Sequence, residues 1–342
     1  MSDLKIGVIN WDGCLESDKT YFGGYCAKTL THEKYINRVP FYADGAMEHK
    51  VSFHKRTQEE FDTEMKYAIE AGIDYFAYVW YTERSEFAAD ENVSETARHV
   101  HELTYIRKLH MASELNTKIK MCAIMSAHPI TDAELLDLAE EMQKPYYQYI
   151  DEKPLVYIYT GYDKDLIARL RAACKKAGTN DPYVAIFTNA APAKDGECYE
   201  LADAVSAYCI HTEERDCESS ADFNDELIEM NKLMLTYNLP VIPMYGVGWN
   251  PNPRVDVPVP WYGYSAKKYA PPSVPEQIEN GAADLASWLK SEKIAPRHIL
   301  SYAWNEFEEG GYICPTFLPD GGLDTSRVKA FRNAVEYLKN EF

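Results

Sequence analysis

The chain has 342 residues, of which 46% are hydrophobic, and it carries a formal net charge of −19 at pH 7. This length is typical of a (β/α)8 barrel with insertions, while no apolar run approaches the ~20 residues that span a bilayer. Because an acidic surface repels phosphate groups, the charge argues against nucleic acid and anionic membranes as partners.

Two features bear on the cellular compartment. Residues 1–10 enter a strand pattern at once, without the basic and apolar regions of a secretory signal, which favours a cytoplasmic protein. None of the eight cysteines forms a CxxC pair, so the first interpretation is free buried thiols in a reducing compartment. A disulfide between loop cysteines, such as Cys14 and Cys26, is the alternative.

Short apolar runs alternate with longer helical patterns along the whole chain. The predicted strands are Lys5–Trp11, Tyr75–Tyr81, Ile119–Ser126, Leu155–Thr160, Tyr183–Thr188, Ala204–Ile210, Val241–Tyr245 and His298–Trp304. The predicted helices are Thr57–Ala71, Ser94–Leu115, Asp132–Met142, Lys164–Ala177, a short helix near Glu197–Ala202, Asp222–Tyr237, Pro275–Glu292 and Thr325–Asn340. This alternation predicts an α/β fold, a single (β/α)8 TIM barrel over residues 1–342. A doubly wound open sheet is the alternative, but the glycine-rich turn usual after its first strand is missing.

Two connections are too long for simple turns. Residues 12–55 follow the first predicted strand, and residues 246–273 follow the seventh. Both lie on the C-terminal side of the predicted barrel, where long loops usually form the wall or the lid of a pocket.

The segment Ser301–Gly311, with the sequence SYAWNEFEEGG, carries the strongest chemical signal. A turn after Phe307, favoured by the two glycines, would bring Glu306 and Glu309 to one cavity. Crowding of like charge would then keep one carboxyl group protonated as a general acid, and a close acidic pair is what glycosidic bond cleavage requires. Glu308 is expected to point to solvent. The alternative is that all three glutamates form a solvated turn.

Other candidate substrate-binding residues end predicted strands or follow the seventh one. They are Asp12, Trp80, Tyr81, His128, Tyr159, Asn189, Tyr245, Trp249, Arg254, Trp304 and Asn305. Aromatic faces stack on sugar rings, and an arginine can hold a carboxylate of the site or of the substrate. The alternative is core packing for Trp80 and Tyr81, and a proline-rich surface loop with an aromatic anchor for the segment Tyr245–Arg254. For Asp12, His128, Tyr159 and Asn189 it is helix capping or a local turn.

The sequence predicts neither a metal site nor a cofactor. His99 and His101 are two positions apart on a predicted helix and therefore diverge. HExxH, EF-hand and P-loop motifs are absent from the sequence, as is the GxSxG turn of a serine hydrolase.

Four segments together resemble the glycoside hydrolase family 99-like proteins, which include the WbsX-like polysaccharide proteins. Residues 303–310 (AWNEFEEG) resemble the family signature AWNEW-x-EG, and residues 248–254 (GWNPNPR) are similar to the WbsX-like segment GWDNxPR. Residues 71–81 (AGIDYFAYVWY) are similar to the family's AGIDGF…WY segment, and residues 153–159 (KPLVYIY) to its KPL strand.

The resemblance implies a barrel glycoside hydrolase that acts on an oligosaccharide or polysaccharide without a cofactor. In characterised family 99 enzymes the substrate is an internal α-mannosidic linkage and the outcome is retention. Carried over, Glu306 assists attack by the sugar's own 2-hydroxyl, and Glu309 acts as general acid and then general base. Residues 12–55 match no family segment, so the sugar and linkage stay open. The alternatives are a non-hydrolytic glycan-binding or polysaccharide-biosynthesis protein on the same barrel and a structural subunit.

Overall fold

Eight parallel strands form the centre of the molecule. The computed structural model describes residues 3–11, 13–81, 83, 94–125, 130–159, 164–188, 200–209, 220–261, 263 and 271–342. The barrel strands are β1 (Lys5–Asn10), β2 (Tyr75–Trp80), β3 (Lys120–Met125), β5 (Lys153–Tyr159), β6 (Tyr183–Phe187), β7 (Ala204–Ser206), β8 (Met244–Gly246) and β9 (His298–Tyr302). Short antiparallel strands are β4 (Tyr149–Ile150), β10 (Asn305–Glu306), β11 (Gly311–Tyr312), β12 (Thr316–Phe317) and β13 (Leu323–Asp324).

The strands are arranged as a barrel. They pair in the order β7-β6-β5-β3-β2-β1-β9-β8. A parallel bridge between Val205 and Val241 completes the circle, because Ile242 N donates to Val205 O at 2.9 Å. The predicted (β/α)8 barrel is thereby confirmed.

Helices alternate with the strands and cover the barrel. They are α1 (Tyr21–Leu30), α2 (Gln58–Glu70), α3 (Glu95–His99), α4 (Tyr105–Ala112), α5 (Asp132–Glu141), α6 (Lys164–Ala177), α7 (Ser220–Leu235), α8 (Asn252–Asp256), α9 (Pro275–Ser291) and α10 (Ser326–Glu341). The 3-10 helices are Glu33–Arg38, Val100–Glu102 and Phe307–Glu309. In the part of the chain that the structure describes, no helix is long and apolar enough to cross a membrane.

Strand alternation decides which side chains fill the barrel. The hydroxyls of Tyr75 on β2 and Tyr157 on β5 meet at 2.9 Å, although these strands are not neighbours, so both side chains point inward. Every second residue shares a face of a strand. Tyr81 and Tyr159 therefore lie on the inward face at the C-terminal end, while Trp80 lies on the outward face.

Three predicted elements differ from those observed. The helix expected over 94–115 is broken at Thr104, whose hydroxyl donates to the carbonyl of His101 at 3.0 Å and so competes with helical bonding. The seventh barrel strand begins at Met244 instead of Val241, because Pro243 has no N–H to give to the ladder. The loop over 12–55 contains helix α1, whose pattern is masked by the weak helix formers Gly23 and Gly24. The short helix near Glu197–Ala202 falls mostly outside the described residues.

Barrel closure generates a stability prediction. The Ser206 hydroxyl donates to the carbonyl of Ile242 at 2.9 Å across the closing bridge. We expect Ser206→Ala to lower the free energy of unfolding by about 1 kcal/mol, because the carbonyl loses a buried hydrogen bond. Urea unfolding followed by circular dichroism measures the change.

Ser301 provides the matched control. It is also fully buried on a barrel strand, but its hydroxyl has no hydrogen-bond partner among the described residues. Ser301→Ala should leave the free energy of unfolding nearly unchanged, since it removes an unsatisfied polar group. Equal losses in the two variants would show that the Ser206 bond contributes nothing specific to closure.

Candidate active site

A sharp turn after β9 gathers three glutamates. The 3-10 helix Phe307–Glu309 ends at Gly310, which has a left-handed φ of 75°, and Glu306 then pairs with Gly311. A Cβ at Gly310 would lie 3.0 Å from the backbone nitrogen of Asn250, so both the conformation and the close approach require glycine. The turn reverses the chain at the C-terminal mouth of the barrel.

Arg254 lies against all three carboxylates. From helix α8, its Nη2 is 3.5 Å from Glu306 Oε2 and 3.4 Å from Glu308 Oε2, and its Nη1 donates to Glu309 Oε1. The side chains of Glu306, Glu308 and Glu309 are 6%, 0% and 9% exposed, so only the outer two reach any solvent. The expectation that Glu308 faces solvent is wrong, because the 3-10 turn directs it inward.

One guanidinium cannot neutralise three buried carboxylates. Burial raises the pKa of Glu306 well above its ordinary value, and the negative charge of Glu309 raises it further, while Arg254 lowers it. The charged form of Glu306 is therefore disfavoured, because the site is desolvated and carries excess negative charge. The site combines a carboxyl group of raised pKa with a second carboxyl group that is bonded to an arginine.

Inward-facing tyrosines line the same mouth. The Tyr302 hydroxyl donates to Glu309 Oε2, and the Tyr208 hydroxyl donates to Glu306 Oε1 at 3.3 Å. The rings of Tyr159 and Tyr302 flank Tyr208, with centroids 5.1 and 5.6 Å away. Burial raises the pKa of all three of these phenols well above the ordinary value, so they stay neutral hydrogen-bond donors.

Tryptophans from both long loops cover the arginine. The Cζ of Arg254 is 5.7 Å from the ring centres of Trp11 and of Trp261. Trp11 also donates from Nε1 to the Tyr81 hydroxyl at 3.3 Å, which places Tyr81 next to the cluster. Trp249 is buried and packs against Tyr302, with ring centroids 5.8 Å apart. The loops after β1 and β8 therefore form walls around the acids.

Trp304 and Asn305, which precede the first glutamate, form hydrogen bonds to other parts of the barrel. Asn305 accepts from Trp11 N at 2.9 Å and donates to Trp11 O at 2.6 Å, so it fixes the end of β1 beside the acidic turn. Trp304 donates from Nε1 to Glu64 on α2 at 2.8 Å, and Glu64 pairs with the buried Arg56. Both residues hold the turn in place, and their polar atoms are directed away from the acidic cluster.

Arg38, from the long insertion, buttresses the turn from behind. It is 3% exposed and donates to the backbone and side-chain oxygens of Asn250 at 2.7 and 2.6 Å. Asn250 N in turn donates to the carbonyl of Glu309 at 2.6 Å. Arg38 thus fixes the backbone of Glu309 through one intermediate residue.

Some sequence candidates lie elsewhere. Trp80 faces outward and stacks on Arg107 of α4 at 4.1 Å, where both line a cavity of about 330 Å³ beside α4 and α5. Tyr245 also faces outward, donating to the carbonyl of Ile278 on α9. Both were predicted to lie in the pocket because each ends a predicted strand. A position at a strand end does not tell whether the side chain points into the barrel or out of it. Asp12, His128 and Asn189 lie outside the described residues.

Sequence reasoning missed several neighbours of the acids. They are Trp11, Arg38, Tyr208, Trp261, Tyr302 and the inward-turned Glu308. Tyr302 lies four positions before Glu306. Because alternate residues of a strand share a face, Tyr302 could have been predicted to point inward once the orientation of one other residue of β9 was known. Arg38 ends a short 3-10 helix of the first long insertion, and Trp261 lies in the second, so no local periodicity indicates them.

The raised pKa of Glu306 generates a prediction about stability and pH. Between the ordinary value of 4.5 and the raised value, the folded protein binds more protons than the unfolded chain. The stability of the wild type therefore falls as pH rises through this window. Glu306→Gln removes that penalty, so its melting temperature relative to wild type should rise from about pH 5 to about pH 8. Glu336→Gln, an exposed change on α10, should show no such trend in thermal unfolding scans.

A constant difference between Glu306→Gln and wild type across this pH range would contradict a shifted pKa at Glu306. A difference of the opposite sign would show that Glu306 is stabilised as the ionised form.

No family model matches the sequence, and no curated protein matches it. Among solved structures, the chain is similar to the GH99 endo-α-mannosidase from Bacteroides thetaiotaomicron in complex with bis-tris-propane, with a TM-score of 0.62 and 14% identity over 100% of this chain and 98% of that chain. Another structure of the GH99 endo-α-mannosidase from this organism gives a TM-score of 0.58 and 14% identity over 90% of this chain and 84% of that chain. The chain therefore has a glycoside hydrolase family 99-like fold, as the sequence motifs predicted.

Proposed function

We propose that the protein is a glycoside hydrolase whose catalytic pair is Glu306 and Glu309. The observation that carries this proposal is the sharing of Arg254 by both carboxyl groups at the C-terminal mouth of the barrel, with the pKa of Glu306 raised well above its ordinary value. Catalytic groups of this fold class sit at that end of the strands. The fold shared with endo-α-mannosidases supports the same reaction class.

Glycosidic cleavage requires two different states of the pair. One carboxyl group protonates the oxygen of the leaving sugar, while the other acts at the anomeric carbon or on its nucleophile. The family resemblance assigns the first role to Glu309 and the second to Glu306, which would accept the proton of the sugar's 2-hydroxyl as that oxygen attacks the anomeric carbon. In the second step Glu309 takes a proton from water, whose oxygen attacks the anomeric carbon and breaks its bond to the 2-oxygen. Glu306 returns its proton to the 2-oxygen, and the configuration is retained overall.

The scheme has two versions, which differ in whether Glu306 or Glu309 carries the proton before the substrate binds. The electrostatics favour the proton on Glu306, since Arg254 Nη1 and the Tyr302 hydroxyl both donate to Glu309. The family assignment requires the proton on Glu309 in the complex. One proton shared by the two carboxyl groups satisfies both, because coupled acids titrate as a pair, and substrate binding must then shift it to Glu309.

Hydroxyl-bearing and aromatic side chains around the pair are proposed to bind the sugar. Tyr159, Tyr208 and Trp249 lie beside the acids or beside the tyrosines that contact them, and the Tyr81 hydroxyl accepts from Trp11, which lies against Arg254. Asp12, His128 and Asn189 stay candidates on their sequence positions alone. The proposed substrate is an oligosaccharide or polysaccharide, and the scheme uses no metal or organic cofactor. A cytoplasmic location stays a prediction.

Substitution of each acid tests the catalytic proposal. Glu306→Gln and Glu309→Gln should each lower kcat by at least about 100-fold on natural linkages, because each removes an acid–base step. Glu336→Gln, on the exposed face of α10, should keep wild-type kcat. The assay is a panel of defined oligosaccharides, α-mannosides included, with product stereochemistry read by proton NMR.

A leaving-group series then assigns the roles. With aryl glycosides of low leaving-group pKa, Glu309→Gln should recover most of its kcat/KM if Glu309 is the general acid, since such groups leave without protonation, while its kcat should stay low because the second step still lacks the general base. Glu306→Gln should stay inactive on the same substrates. The reverse pattern would exchange the two roles. Full activity of either variant on natural linkages would remove that residue from catalysis, and calorimetric glycan binding without product release would favour the non-hydrolytic alternative.

A further inference from the structure

A second cluster of reactive side chains lies directly behind the acidic pair. The sulfur atoms of Cys14 and Cys26 and a carboxylate oxygen of Glu308 all lie within 4.8 Å of one another. Cys14 is 3% exposed, while Cys26 and Glu308 are fully buried, and both cysteines are free thiols. The three residues come from the loop after β1, from α1 and from the turn after β9. Metal-ligating atoms from the insertion over 12–55 and from the turn after β9 thus meet in one buried space.

Glu308 is poorly compensated by its protein neighbours. From the described residues it accepts hydrogen bonds from Thr29 Oγ1 at 3.5 Å and from Arg254 Nη2 at 3.4 Å, and both are long. Arg254 is also shared with the two other glutamates, and it is closest to Glu309. A fully buried carboxylate without a short hydrogen bond is costly. A positive charge placed between Glu308 and the two thiols would remove that cost.

The donor set indicates the kind of cation. Thiolate sulfur binds borderline-soft metals such as Zn²⁺, and a carboxylate oxygen completes such sites in place of imidazole. Mg²⁺ and Ca²⁺ prefer oxygen ligands alone. Two thiolates and one carboxylate carry one more negative charge than a divalent cation neutralises, and Arg56 and Arg254 act electrostatically on the cysteines from nearby. The loaded donor set would therefore carry one net negative charge, with these two cations nearby.

We propose that Cys14, Cys26 and Glu308 form a structural binding site for a thiophilic divalent cation, with Zn²⁺ as the bound metal. The cation would link the insertion over 12–55 to the turn that carries Glu306 and Glu309. It would also withdraw Glu308 from Arg254, leaving that guanidinium to the two outer glutamates. This inference does not rest on the proposed hydrolase activity, since metal binding is measured without any substrate.

The competing explanation is a disulfide between the same two cysteines. A thiol-disulfide oxidant would couple the sulfurs with loss of two hydrogens, and neither sulfur would then be a ligand. Intact mass before and after reduction distinguishes the two, because a disulfide lowers the mass by about 2 Da while a bound metal adds its own mass.

The full-length protein tests the site. It is expressed with added Zn²⁺, purified in a non-thiol reductant and dialysed against metal-free buffer, and zinc is counted by plasma mass spectrometry. We expect about one Zn²⁺ per chain, and Cd²⁺ added to metal-stripped protein should produce a thiolate-to-cadmium charge-transfer band in the ultraviolet. Cys14→Ser and Cys26→Ser should each lower Zn²⁺ occupancy about tenfold or more, because each removes one of the two thiolate ligands.

Cys122→Ser is the matched control, because Cys122 is a buried free thiol on β3 outside the cluster. It should keep wild-type zinc content. Glu308→Gln keeps both thiols and the side-chain shape, so it tests the site even if the cysteine variants fail to fold, and it should weaken Cd²⁺ binding about tenfold or more. The proposal is overturned by zinc content that is the same in all variants, by a wild type that produces no cadmium–thiolate band while reduced, or by a Cys14–Cys26 disulfide in a parallel preparation purified without reductant.

Discussion

The site depends on the unequal division of one guanidinium among three buried carboxylates. Arg254 Nη1 donates to Glu309, while Glu306 and Glu308 are 3.5 and 3.4 Å from Nη2. Because the positive charge is insufficient and water is excluded, the ionised forms cannot all be stabilised. The three glutamates therefore differ in their surroundings. The pKa of Glu306 is raised, Glu309 accepts hydrogen bonds from Arg254 and Tyr302, and Glu308 has only long contacts among the described residues.

The surrounding barrel is built to maintain this arrangement. Asn305 ties the turn to the end of β1, Trp304 ties it to α2 through Glu64, and Arg38 fixes it from the insertion through Asn250. Such supports keep side chains in a fixed relation, which is what an electrostatic site requires, since its effect depends on groups being oriented before the substrate arrives. Trp304 and Asn305, next to the acids in sequence, therefore hold the turn that carries them.

The insertion over 12–55 contributes residues to the site. Its Arg38 supports the backbone of Glu309 through Asn250, and its Cys14 and Cys26 lie next to Glu308. The proposed cation site and the proposed catalytic pair therefore share one polypeptide turn and one arginine. Any change in the charge near Glu308 acts on the other two glutamates through Arg254, because the three compete for the same guanidinium.

The sequence by itself determined the barrel, because strand and helix patterns are local and their eightfold alternation has few three-dimensional solutions. It also located the acidic turn, since Gly310 and Gly311 report a backbone requirement directly. Only the tertiary structure decided which strand-end residues face the mouth: Trp80 and Tyr245 point outward, whereas Tyr208 and Tyr302 point to the acids. Only the fold could show Glu308 turning inward towards Arg254, Cys14 and Cys26. Those contacts join residues far apart in the chain, and no local periodicity records which distant segments will meet.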